Sequence, residues 1–74
     1  MTFEDWLRDR VEERSAVGDL ARDTANDPDW PADAGHYEQH AYLEQVGAIP
    51  AALDAHREAR QRWRNERRAR HATR

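Results

Sequence analysis

An all-α fold of four helices, three short and a long arginine-rich last one, is what this sequence predicts. Three observations carry that prediction. Apolar residues recur at helical spacing, no segment shows the alternating β-branched pattern of a strand, and proline and glycine interrupt the chain at only a few places.

Thr2 is placed to cap a first helix from Phe3 to about Arg14, with Asp5 completing a capping-box-like pair. Phe3, Trp6, Leu7 and Val11 form its apolar stripe. Ser15 caps a second, short helix that runs through Val17, Leu20, Ala21 and Thr24 to about Asn26, and Asp19 suits the positive end of its dipole. Gly18 leaves room near its start for another helix to approach closely. The run Asp27-Pro28-Asp29-Trp30-Pro31 cannot continue a helix, because each proline lacks a donor and disfavours helical geometry in the residue before it. It is a turn whose Trp30 folds back as a hydrophobic plug. A third helix is expected from about His36 to Val46, with Tyr37, Ala41 and either Tyr42 or Leu43 facing inward, and Gly47 as its stop. Pro50 suits the first residue of a fourth helix, which meets no breaker from Ala51 to Ala69 and spans on the order of 30 Å. The expected core is Phe3, Trp6, Leu7, Leu20, Ala21, Trp30, Tyr37, Leu43, Leu53 and Trp63.

Composition narrows the function. Of 28 apolar residues among 74, alanine supplies 13, so 15 larger apolar side chains must make the core. That is enough for one small domain and leaves no room for a buried active-site cavity. Cysteine is absent, which removes disulfides, thiolate chemistry and cysteine-based zinc sites. The acidic start and the lack of a long apolar run predict neither signal peptide nor membrane span, hence a cytoplasmic protein without membrane contact. Charge is unevenly placed: residues 1–56 hold 4 Arg against 13 acids, net −9, whereas residues 57–74 hold 8 Arg against 2 acids, net +6.

Chemistry-bearing patterns are sparse. His36 and His40 stand i, i+4 on the third helix, and a third metal ligand is available from Glu44 or from His56 across the bundle. No HExxH pattern surrounds them, and a solvated His36 with a half-buried His40 is the simpler expectation, so neither metal nor cofactor is assigned. Ser15, the only serine, is needed as a cap and has no His-Asp pair to activate it. Carboxylate pairs such as Glu12 and Glu13 or Asp27 and Asp29 are expected in so acidic a segment and mark a solvated surface. The sequence predicts no enzyme and no small-molecule substrate. One electrostatic feature can select a partner: Arg57, Arg60, Arg64, Arg67 and Arg68 fall within about a 100° sector of the fourth helix, with Trp63 beside them.

The order Phe3, Trp6-Leu7, Gly18-Asp19-Leu20-Ala21-Arg22-Asp23, Asp27, Trp30-Pro31, Tyr37 and Tyr42-Leu43, followed by an alanine-rich helix, resembles the YozE-like family of small bacterial proteins. The resemblance covers about residues 2–63. It implies a four-helix fold similar to the sterile alpha motif over residues 1–64, with 65–74 as an arginine-rich extension that can fray, and it brings no enzymatic activity or cofactor. The chain departs from the family pattern at His40, where an aliphatic residue is favoured, and at His56 and Arg60, where aromatics are.

These readings converge on a non-enzymatic interaction module acting through protein contact, either with a protein partner or by head-to-tail self-association of its oppositely charged ends. The alternative is a nucleic-acid-binding or regulatory protein that uses the arginine stripe.

Overall fold

The structure, a computed structural model, describes residues 1–72 and the side chains of residues 1–70. It contains α1 (Phe3–Arg8), α2 (Ala16–Ala25), α3 (His36–Gln45) and α4 (Pro50–Ala72), and no strand among the described residues. The long α4 is the spine. All three shorter helices pack against it, α1 also packs on α2, and its length makes the molecule elongated, at 42 × 25 × 21 Å.

The helix starts are those that local chemistry dictates. The Thr2 hydroxyl accepts the Asp5 N–H at 3.1 Å, and the Ser15 hydroxyl accepts the Gly18 N–H at 3.1 Å. Pro50 opens α4, and Gly47 takes φ 79°, the left-handed conformation that ends α3 and turns the chain into α4. Gly35 precedes α3 with extended backbone and offers no side-chain cap.

Phe3, Trp6, Leu7, Val17, Leu20, Ala21, Trp30, Leu43, Ala55 and Ala59 form the core, with Val11, Leu53 and Trp63 partly buried at its edge. Trp30 is the expected plug: its indole N–H donates to Glu4 Oε1 at 3.1 Å while its ring meets Tyr42 and His56 edge-on. Asp27 holds the turn below it, accepting from the Asp29 N–H at 2.9 Å and from the Tyr42 hydroxyl. That hydrogen bond, with burial, pushes the Tyr42 phenol up to about 12.

Two expectations are corrected. The first helix ends at Arg8, not near Arg14, and residues 9–13 follow as turns closed by Arg10 N–H to Leu7 O and Glu13 N–H to Arg10 O. Arg22 of α2 is the reason: its guanidinium donates to Val11 O at 2.6 Å and to Glu13 O at 3.3 Å, carbonyls that in a helix ending at Arg14 would be among the last four and without intrahelical partners, so the turn gains bonds that a longer α1 would not supply. The second correction is the inward face of α3. Tyr37 is 88% exposed and Ala41 is exposed, whereas Gln39 and Leu43 are buried. The face is set by Gln39, whose amide N–H group donates to Pro31 O at 3.0 Å and locks the helix to the preceding turn. Tyr37 is left stacked on the ring of His36 at the surface.

Candidate functional site

The arginines of α4 divide into structural and exposed groups. Arg60 is not part of an open stripe. It is 7% exposed, lies 3.9 Å above the Phe3 ring, and donates to Ala34 O at 3.0 Å and to Gln39 Oε1 at 2.9 Å. Burial, then the charge of Arg64, lowers its pKa from the usual arginine value. It is a tie between α4, α1 and the loop before α3.

Arg62, which lies outside the predicted stripe, is likewise committed. It grips Glu13 through two bonds of 2.9 and 3.1 Å. Those bonds, followed by the Ser15 hydroxyl, hold the Glu13 carboxyl down at about 2. Arg57, Arg64, Arg67 and Arg68 are exposed. Arg57 pairs with Asp54 at 2.8 Å, Arg64 donates to Gln61 at 2.9 Å, and Arg67 lies 4.8 Å from the Trp63 ring centroid. Trp63 is no free stacking platform: Phe3 meets it edge-on, Arg67 lies on its face, and its N–H donates to Met1 O at 3.2 Å.

The opposite end of the molecule carries an apolar groove that sequence reading did not find. Where α3 turns into α4, Val46 is 57% and Ile49 67% exposed. Together with Leu20, Tyr42 and Ala52 they line two adjoining hollows flanked by Asp19, Asp23 and Asp27, with Arg22 at the rim paired to Asp19. The missed signal is the pair Val46 and Ile49 on either side of the Gly47 stop, where helical spacing assigns no face.

A third feature lies between α3 and α4. The fully buried His56 donates from Nε2 to Gln39 Oε1 at 3.0 Å. Its donor role follows from Gln39, whose NH₂ group is spent on Pro31 and Ala32 and whose oxygen also receives Arg60. The His56 ring is 5.1 Å from that of His36 and 6.1 Å from that of His40. Burial, with the charges of His36 and Arg60 adding to it, takes the His56 imidazole down to about 3, and burial lowers His36 as well. His36 is therefore not the solvated side chain the sequence suggests, and helix periodicity around Leu43 was the one available clue, since His36 and Gln39 lie seven and four residues before it.

Comparison of the chain with protein-family models, with curated proteins and with solved structures finds no match.

Proposed function

We propose that this protein is a non-enzymatic helical interaction module that acts by protein contact, and that its groove at the α3–α4 corner receives the arginine-bearing end of α4 from a second copy. The observation that carries this reading is the acid-flanked apolar groove around Val46 and Ile49 at one end of the molecule, with Arg64, Arg67 and Arg68 exposed at the other. Ile49 and Arg67 are separated by about 27 Å along the helix axis. One molecule cannot satisfy its own groove, and a head-to-tail contact propagates chains rather than closed dimers. The resemblance to YozE-like proteins, with their sterile-alpha-motif-like fold, is consistent with a contact module of this kind.

Sedimentation at rising protein concentration and at low and moderate salt tests the proposal. The wild type is expected to form concentration-dependent chains that shorten as salt rises. Ile49→Asp and the double substitution Arg67→Glu/Arg68→Glu should each be monomeric. Mixing the two variants should give a single dimer, because one intact groove then meets one intact basic end. A wild type that stays monomeric, or a mixture that does not pair, overturns it.

The exposed Arg57, Arg64, Arg67 and Arg68 also support a second reading, nucleic-acid binding. The covered faces of Trp63 argue against base stacking, so any such binding would rest on phosphate contacts. Titration of single-stranded RNA into the wild type and the Arg67→Glu/Arg68→Glu variant distinguishes the two: salt-sensitive binding lost in the variant, from a monomeric protein, favours nucleic acid.

A further inference from the structure

The geometry points to a three-histidine site for a divalent late transition metal, with Zn²⁺ as its simplest occupant, formed by His36 and His40 of α3 and His56 of α4. One ring nitrogen from each of the three lies within 4.8 Å of the other two. A tetrahedral zinc with bonds of about 2.0–2.1 Å needs about 3.3 Å between its nitrogens, so the rings must close by up to about 1.5 Å. The two partly exposed histidines on α3 can make that movement by side-chain rotation, and their exposure also gives an ion a path inward.

Two further observations single out this cluster. The Nδ1 atoms of His40 and His56 are both buried and have no hydrogen-bond partner. A buried polar atom without a partner is costly, and a metal ion is one partner able to satisfy two lone pairs at once. Gln39 also sets the chemistry of His56: by accepting the Nε2–H, its oxygen fixes the tautomer whose Nδ1 carries the lone pair. This is the outer-shell support usual for a metal-bound imidazole. Glu44 Oε2, 4.0 Å from His40 Nε2, places a carboxylate at the rim.

The surroundings set a limit. Arg57, Arg60 and Arg64 place positive charge near the cluster and oppose a dication, so the affinity should fall below that of a closed structural zinc site. Three neutral donors on two packed helices, with Glu44 beside them, supply the attraction.

The test uses the full-length chain, stripped of metal and titrated with ZnCl₂ by calorimetry in a non-coordinating buffer. The visible absorption of added Co²⁺ reports coordination geometry. The wild type is expected to take up one equivalent, melt at a higher temperature when loaded, and give the intense Co²⁺ bands of a tetrahedral site. His36→Ala and His40→Ala, which leave the apolar core intact, should each weaken binding by about tenfold or more. His56→Phe keeps the buried space filled and should abolish the metal-dependent rise in melting temperature. His71→Ala should bind as the wild type does. Absence of saturable uptake by the wild type, uptake unchanged in His36→Ala and His40→Ala, or uptake lost in His71→Ala overturns the assignment.

Discussion

At residue scale, the centre of this small protein is a polar hub. Gln39 receives His56 and Arg60 on one oxygen and gives its amide hydrogens to the turn at Pro31 and Ala32. Every hydrogen-bonding group of its side chain is thereby engaged, which is what permits a glutamine to be wholly buried. His56 is less well served, since its Nδ1 has no partner among rings from Phe3, Trp30, His36 and His40. His56→Phe is therefore expected to raise the stability of the metal-free protein by about 1 kcal/mol, because it removes an unsatisfied buried nitrogen while Gln39 keeps Arg60. Thermal melts at neutral pH in the presence of a chelator check this, and a lower midpoint would show that the Nε2 hydrogen bond outweighs the orphaned Nδ1. None of this hub was legible as a hub. A glutamine carries no apolar signal, His56 stood out as an alternative third metal ligand, and Arg60 read as part of an open arginine stripe.

At the scale of elements, local chemistry and tertiary contact each decide different boundaries. The caps Thr2 and Ser15, the stop at Gly47 and the start at Pro50 were legible because they depend on a few adjacent residues. The end of α1 was not, because Arg22, eleven residues beyond Val11, captures the carbonyls there. Gly18 belongs to the same junction. A Cβ at this position would stand 1.8 Å from the Glu13 carbonyl oxygen, so the close approach is by the preceding turn rather than by another helix. Gly18→Ala is expected to destabilise the fold by about 3 kcal/mol, because backbone must shift to admit a methyl group, and urea unfolding measures it. Gly35 is the opposite case. Nothing lies within 4 Å of a Cβ there, its φ of −81° suits any residue, and α3 lacks a side-chain cap. Gly35→Ser should therefore gain about 0.5–1 kcal/mol from capping and from a less flexible unfolded chain, read by the same unfolding curves. An unchanged midpoint would mean that the serine hydroxyl does not reach the first-turn amides.

At the scale of the whole molecule, α4 joins sequence-distant parts through charged ties as well as apolar packing. Arg62 grips Glu13, and Glu66 accepts the Trp6 indole N–H at 3.0 Å and pairs with Arg10 at 3.5 Å. The last helix is thus bound to the N-terminal segment as far as Glu66, two residues into the expected extension 65–74, of which Thr73 and Arg74 lie outside the described residues. No helix among the described residues is long and apolar enough to cross a membrane. The Glu13 tie has a pH signature. Its carboxyl is held at about 2 against an ordinary 4.5, so its contribution is complete above the ordinary value and is lost as pH falls from about 4.5 through about 2. Glu13→Gln should accordingly lower the melting temperature at neutral pH, with the gap to wild type closing across that acid window. A gap that stays constant down to pH 2 would show that the loss comes from packing rather than charge. Partial exposure of the pair keeps the effect modest.

The sequence alone determined the all-α class, the four helices, most of the apolar core and the opposition between an acidic body and a basic end. Those features follow from spacing, capping and composition, which are properties of neighbouring residues. Tertiary structure decided which face α3 buries, where α1 stops, which arginines are spent as ties, and that His36, His40 and His56 converge. The physical reason is common to all four. Each depends on a polar side chain finding a partner far away in sequence, and α3, with few apolar residues, has no hydrophobic stripe strong enough to fix its own orientation.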